Sequence, residues 1–123
     1  MPVTVEDFLE AALSFNDSFN EMTLRNRISR AYYSGYLLAR DVQIASKVKP
    51  PSVNGGVHAK IIAFYTNGLS PNVDPVMQNE VAGLLQMSKT LRTKADYKLN
   101  CQIPPSDGEV ALKCAQRVHE LLK

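Results

Sequence analysis

The stretch from residue 24 to residue 45 constrains the fold of this chain more than any other. Apolar and small residues recur there at alternating steps of four and three, in the order Leu24, Ile28, Ala31, Gly35, Leu38, Val42 and Ala45. This spacing places them along one side of a long helix, as a seam that packs against other helices. The small residues in mid-seam would let a neighbouring helix approach closely. Pro50 and Pro51 prevent continuation, so we predict a helix from about Leu24 to Lys47.

Helical periodicity also dominates the rest of the chain, and no segment alternates apolar and polar residues for long enough to indicate a strand. We predict helices over about residues 5–19 and 57–67, a fourth that begins at residue 75, and a fifth that follows residue 106. The residues expected to face inward are Phe8, Ala12, Phe15, Phe19, Ile61, Phe64, Tyr65, Met77, Val81, Leu84, Ser88, Leu91, Ala95, Val110, Cys114, Val118 and Leu121. Short connections between such helices predict an all-α, antiparallel four- to five-helix bundle, formed as one domain over residues 1–123.

Three of the predicted helix starts carry capping signals. Two of them have the spacing of a capping box, in which two side chains supply partners to unpaired backbone amides. The third combines a capping aspartate with a proline whose φ is preset for the first turn. The pairs are Thr4 with Asp7, Ser106 with Glu109, and Asp74 with Pro75.

The composition is that of an ordinary globular protein, with 45% hydrophobic and 21% charged residues. A formal net charge of +2 is too small to attract nucleic acid through bulk electrostatics, so such binding needs a local patch, for which Arg25, Arg27 and Arg30 are candidates. No apolar run is long enough for a membrane span and no secretion signal is evident, so we expect a cytoplasmic protein. Cys101 and Cys114 are expected to be free thiols. They lack the ligand pattern of a zinc site, and we predict no cofactor.

Three short segments occur in a fixed order inside this helical frame. They are Ser29-Arg30-Ala31-Tyr32-Tyr33-Ser34-Gly35-Tyr36 in the second helix, Gly56-Val57-His58 before the third, and Arg92-Thr93-Lys94-Ala95-Asp96-Tyr97 at the end of the fourth. In this order, over about residues 25 to 97, they resemble the small prokaryotic HEPN proteins, in which a Ser-Arg-x-Tyr-Tyr helix precedes an Arg-x-x-Ala-Asp-Tyr segment.

The resemblance implies a helical bundle that forms a homodimer and works in toxin–antitoxin pairs, phage defence or RNA processing. Many HEPN proteins are metal-independent endoribonucleases that use an Arg-x(4–6)-His motif, which two subunits bring into one cleft. Some are paired with a small nucleotidyltransferase, an antitoxin that modifies a tyrosine beside this motif. RNA and a partner nucleotidyltransferase are therefore the expected partners.

The chemistry of such a ribonuclease needs a proton carrier and a cation on the phosphate. Histidine suits the first task, because its ordinary pKa of about 6.5 lies near working pH. Arginine suits the second, because its planar fork binds phosphate oxygens in pairs. Arg92 stands at the position of the arginine, but Tyr97 stands where the histidine is expected. A tyrosine with an ordinary pKa of about 10 is a poor base at neutral pH.

Helix geometry also bears on this segment. Five residues turn through about 500°, so Arg92 and Tyr97 should point apart by about 140°, whereas Arg92 and Asp96 share a face. We take Arg92, Tyr97 and Asp96 as the candidate catalytic residues. The same Arg92–Asp96 pair also fits a solvated ion pair at the end of a helix.

Four further residues are candidates for contacts with RNA or phosphate. Arg30 and Tyr33 flank the seam of the second helix, and His58 and Lys60 begin the third helix, where backbone amides favour anions. Each of them also fits a packing, capping or solvated role.

Two further tyrosines and the second histidine are not candidates for the site. We interpret Tyr32 and Tyr36 as packing residues. We expect His119 on the surface or at an interface, because Arg117 precedes it too closely for the ribonuclease spacing.

The sequence leaves three functions open. The first is a HEPN-type toxin or defence ribonuclease with Arg92 and Tyr97 at a dimeric cleft. The second is a catalytically inactive HEPN module that binds a nucleotide, RNA or a partner nucleotidyltransferase and provides dimerisation, which the absent histidine favours. The third is a purely structural helical adaptor.

Overall fold

The computed structural model describes residues 3–14 and 20–123. This part of the chain contains five helices and no strand, which confirms the all-α bundle. The helices are α1 (Val5–Ser14), α2 (Glu21–Ser46), α3 (Val57–Thr66), α4 (Pro75–Tyr97) and α5 (Pro105–Leu122). The central helix is α2, which contacts the other four. None of the described helices is both long and apolar enough to cross a membrane.

The predicted seam places α2 at the centre of the bundle. The first five residues of the seam, from Leu24 to Leu38 in steps of four and three, are buried. Its last two differ, since Val42 is half-buried and Ala45 is exposed. A Cβ atom added to Gly35 would lie 3.7 Å from side-chain atoms of both Leu85 and Val118. This is ordinary van der Waals distance, so α2 packs against α4 and α5 at once here, with room for an alanine at the position of Gly35.

The start of α2 lies three residues before the predicted one. The Asn20 side chain accepts hydrogen bonds from the backbone N–H groups of Met22 (2.9 Å) and Thr23 (3.2 Å). These bonds satisfy amides that have no partner within the helix. The far end is close to prediction, with the helix ending at Ser46 and Lys47 in the left-handed conformation at φ 62°.

Two of the three predicted caps are confirmed. Thr4 and Asp7 bond reciprocally, at 2.8 Å from Thr4 N to Asp7 Oδ2 and 3.2 Å from Asp7 N to Thr4 Oγ1. Asp74 Oδ1 accepts from Val76 N at 2.8 Å. The Ser106–Glu109 capping box is wrong, because α5 begins at Pro105 without a side-chain cap. The carboxylate of Glu109, which was expected to close the box, has its Oε1 atom 3.5 Å from Arg27 Nη1 instead.

The predicted inner face is right for α3 and partly right for α4. Ile61, Phe64 and Tyr65 are buried as expected. On α4, Val81, Ser88 and Ala95 are buried as predicted, but Met77 is exposed, and the neighbouring Gln78 is buried in its place. Arg92 is also buried, so the inner face of α4 carries an arginine. On α5, Val110 was predicted to face inward but is exposed, because the neighbouring Ala111 occupies the inner face. Phe15 and Phe19 lie outside the described residues.

The arginines at the start of α2 do not form an open basic patch. Arg25 is buried, and its guanidinium donates to the backbone carbonyls of Ala95 (2.8 Å) and Cys101 (2.6 Å). Arg27 Nε donates to the Ala12 carbonyl at 3.1 Å. These two side chains hold helix ends in place, because carbonyls in the last turn of a helix need outside partners.

The interior also holds polar groups that the sequence does not place there. His119 was expected on the surface, but it is buried, with its Nε2 atom 2.7 Å from Ser34 Oγ. Gln78 is fully buried and bonds to the backbone N–H and carbonyl of Ser70, both at 2.9 Å. Cys101 is an exposed free thiol and Cys114 a buried one.

Candidate functional site

Helices α2, α3 and α4 bring one cation into a group of aromatic rings. Arg92 of α4 is only 8% exposed. Its Cζ atom lies 5.3 Å from the centre of the Tyr32 ring and 5.6 Å from the centres of the Tyr33 and Tyr97 rings. Such distances allow cation–π attraction. We call the set formed by Tyr32, Tyr33, Tyr36, His58, Arg92 and Tyr97 the Arg92 cluster.

Local sequence explains the wall that α2 contributes. Ser29, Tyr32, Tyr33 and Tyr36 are spaced at i, i+3, i+4 and i+7, so they share one face of the helix. The ring of Tyr32 stacks on that of Tyr36 at 5.9 Å between centres, and the Tyr33 ring meets the Tyr32 ring edge-on at 5.3 Å. The face is therefore a continuous aromatic surface opposite Arg92.

The hydrogen-bonding of Arg92 is incomplete. Its Nη1 atom lies 3.6 Å from Asp96 Oδ2, which also accepts from Ser29 Oγ at 3.4 Å. Its Nε atom is buried and has no hydrogen-bond partner among the described residues. A buried donor without a partner is rare and costs stability. Among the described residues, Arg92 is therefore the side chain that is left with a buried N–H group unpaired.

His58 joins the cluster from the start of α3. The Gly56 N-cap provides no side-chain hydrogen bond. The imidazole stacks on Tyr36, with ring centres 4.1 Å apart and planes at 22°. Its Nδ1 atom lies 2.5 Å from the Tyr32 hydroxyl oxygen. Arg92 and His58 therefore share Tyr32 as a neighbour, although they are far apart in sequence.

Burial and neighbouring cations set the charges in the cluster. Burial lowers the pKa of His58 below its ordinary 6.5, and the positive charges of Arg92 and Lys89 lower this pKa further. His58 is therefore neutral at pH 7. Burial raises the pKa of both Tyr32 and Tyr36 above the ordinary 10.0. At neutral pH the cluster thus combines the Arg92 guanidinium with an uncharged imidazole and the protonated phenols of Tyr32 and Tyr36.

Arg92 and Tyr97 are closer than their helical positions predict. The long side chain of Arg92 reaches towards the end of α4, and Tyr97 is the last residue of that helix. The resulting contact of 5.6 Å leaves Tyr97 70% exposed. The face shared by Arg92 and Asp96 is seen as predicted.

The structure does not bring Arg30 to Arg92. Arg30 is exposed, and its Cζ atom lies 5.9 Å from the centre of the Phe8 ring of α1. It follows Ser29 by one residue, and one residue turns the helix by about 100° away from the face that meets α4. Lys60 is partly exposed on α3, about 200° around that helix from His58. Of the four predicted phosphate-binding residues, Tyr33 and His58 are thus in the cluster.

The sequence did not single out four residues as parts of the site, namely Tyr32, Tyr36, Ser29 and Lys89. The spacing of the three α2 residues was visible as one helical face, and it could have identified them once Tyr33 was a candidate. The position of Lys89 near His58 depends on how α3 packs against α4. No local pattern carries that information.

The Arg92 cluster offers a ligand a guanidinium N–H, an imidazole edge and exposed aromatic surface. These groups suit a molecule that carries both phosphate and flat bases. No family model, curated protein or solved structure matches this chain.

Proposed function

We propose that this chain is a HEPN-type protein of a toxin–antitoxin or phage-defence system, and that it binds RNA at the Arg92 cluster. The observation that carries the proposal is the buried Arg92 Nε atom, which has no partner among the described residues. The planar guanidinium group of Arg92 presents a fork of N–H groups that matches the oxygens of a phosphate. The resemblance described above adds support, because Arg92 stands at its motif arginine.

The surroundings of Arg92 favour RNA over a simple anion. Tyr97 is mostly exposed and lies against Arg92, so its ring is available to stack on an unpaired base. Stacking on aromatic side chains is the usual way in which proteins hold single-stranded RNA. We also propose a homodimer, as the resemblance implies, with two such clusters facing one cleft.

A second candidate function uses the same residues differently. In it the protein is a catalytically inactive module whose partner is a nucleotidyltransferase, and Tyr97 is the residue that the partner modifies. The exposure of the Tyr97 ring beside a cation favours this candidate. The hydroxyl oxygen of Tyr97 would attack the α-phosphorus of a nucleoside triphosphate that the partner holds, and pyrophosphate would be released. A nucleotide found on Tyr97 after co-expression with such an enzyme would favour this function over the first.

Binding of labelled single-stranded RNA tests the first proposal. We expect Arg92→Lys to weaken binding about tenfold, because lysine keeps the charge but cannot present the guanidinium fork. Arg30→Lys is the matched control, because it makes the same change in an arginine of α2 that does not face Arg92. This variant should bind RNA like the parent. Fluorescence anisotropy gives the affinities, and circular dichroism checks that both variants fold.

Two results would contradict this proposal. One is a parent protein that does not bind RNA at physiological salt. The other is an equal loss of affinity in the Arg92 and Arg30 variants, which would mean that RNA responds to general surface chemistry and not to the cluster.

A further inference from the structure

We propose that His58 is the second phosphate-binding residue of the Arg92 cluster, that Tyr32 positions it as an Nε2–H donor, and that the cluster holds an RNA phosphodiester without cleaving it. This inference rests on the proposed RNA binding. It gives His58, which lies near Arg92, a role in binding. It also distinguishes a protein that cleaves the bound RNA from one that only holds it.

The first step is the position of the imidazole. Arg92 and His58 share two neighbours, since the His58 ring centre lies 5.5 Å from that of Tyr32 and 5.9 Å from that of Tyr33. These are the same two rings that flank the Arg92 guanidinium. His58 is partly exposed, and the charge of Arg92 acts on its imidazole, so the two groups are close enough to influence one ligand.

The second step is the direction of the hydrogen bond between Tyr32 and His58. Tyr32 is 1% exposed, and the 2.5 Å contact with His58 Nδ1 is the one hydrogen bond of its hydroxyl among the described residues. A buried O–H group needs an acceptor. The hydroxyl therefore donates to Nδ1, and the neutral imidazole must carry its proton on Nε2.

The third step is what this tautomer can do. His58 Nε2 has no hydrogen-bond partner in the described part of the chain, so its N–H is available to a phosphate oxygen. The lone pair of the imidazole is already used by Tyr32. A general base for the RNA 2′-hydroxyl would need a free lone pair. The cluster therefore supplies N–H donors from Arg92 and His58, and its imidazole does not act as a base. The nearby Asp96 carboxylate is already engaged through Oδ2 by Arg92 and Ser29.

The fourth step is the charge of the preferred ligand. Asp96 lies 3.6 Å from Arg92 and offsets its charge, which leaves Lys89 as the further cation that acts on His58. A site with about one unbalanced positive charge suits a phosphodiester, which carries one negative charge. A terminal phosphate carries nearly two at neutral pH. The charge of the site therefore favours a phosphodiester, and together with the proposed RNA binding this makes the ligand the backbone of an RNA strand.

Three variants of the whole protein test the assignment with a labelled single-stranded RNA. We expect His58→Ala to weaken binding about three- to tenfold, the loss of one neutral hydrogen bond. His58→Gln should recover most of the affinity, because its amide offers an N–H donor. Tyr32→Phe should weaken binding as well, since the imidazole is then free to exchange tautomers. The same RNA with an added 5′-phosphate should bind no more tightly.

Nitrogen NMR of the imidazole gives a readout that a merely structural role for Tyr32 would not move. We expect one tautomer in the parent, with the proton on Nε2, and a mixture of tautomers in Tyr32→Phe. The chain has two histidines, so the His58→Gln spectrum assigns the signals.

The outcomes separate this inference from the proposed function. If Arg92→Lys weakens binding but His58→Ala does not, RNA binding stands and the role of His58 is overturned. A proton on Nδ1 in the parent, or RNA cleavage that His58→Gln abolishes, would also overturn it. If the parent does not bind RNA, both fall together.

Discussion

At the scale of single residues, buried polar side chains decide the character of this protein. Arg25, Arg92 and His119 are each less than 10% exposed, and Gln78 is fully buried. Sequence pattern assigns such residues to the surface, because charged and amide side chains are seldom buried without partners. Arg25, Gln78 and His119 find hydrogen-bond partners inside the bundle. Arg92 keeps an unpartnered Nε atom, which is why we propose it as the centre of the binding site.

Burial of the two histidines predicts a dependence of stability on pH. Burial lowers the pKa of both His58 and His119 below 6.5 in the folded protein. As pH falls through 6.5, the unfolded chain takes up protons that the folded chain does not, so folding is disfavoured. We expect the free energy of unfolding to decrease from pH 7.5 to pH 5.5. Urea denaturation at both values measures it.

A substitution separates this effect from general acid denaturation. His119→Gln should make the decrease between pH 7.5 and pH 5.5 smaller, because one of the two groups that titrate is removed. Glu6 and Glu80 have pKa values lowered below 4.5, so they act at lower pH. Stability that stays constant or increases over this range would contradict the account of the buried histidines.

At the scale of elements, the sequence predicted helices well and their rotation less well. The seam of α2, the Thr4–Asp7 and Asp74 caps and the inner face of α3 could be read from spacing, because they depend on nearby residues. The stripe of α4 is right at Val81, Ser88 and Ala95 but wrong at its start, with Met77 outside and Gln78 inside. Periodicity could not show this, because the buried Gln78 is stabilised by loop carbonyls and the buried Arg92 by tyrosines of α2.

The C-terminal end of α4 depends on Arg25 of α2. Arg25→Met keeps the apolar part of the side chain but removes the donors to the carbonyls of Ala95 and Cys101. We expect it to lower the free energy of unfolding by about 3 kcal/mol, because buried carbonyls are left without partners. The exposed Arg40 is the control, and Arg40→Met should change stability by less than about 0.5 kcal/mol. An equal effect of both substitutions in thermal denaturation would contradict this role.

At the scale of the whole molecule, the candidate site is made by packing and not by one motif. Tyr32, His58 and Arg92 lie on three different helices and meet because α2 lies at the centre of the bundle. The sequence predicted the importance of Arg92 and His58 separately. It could not predict that they share Tyr32, because the contact depends on how α3 packs against both neighbours. The sequence also made Arg30 a candidate for phosphate contacts, but in the structure Arg30 lies against Phe8 of α1 and away from Arg92.

The most direct test of the Arg92 cluster is the titration of both histidines by NMR with and without single-stranded RNA. A phosphate between Arg92 and His58 stabilises the protonated imidazole, so RNA should raise the pKa of His58. The pKa of His119, which is buried beside Ser34, should stay the same. If RNA binds while the pKa of His58 does not change, the phosphate lies elsewhere and the central claim is wrong.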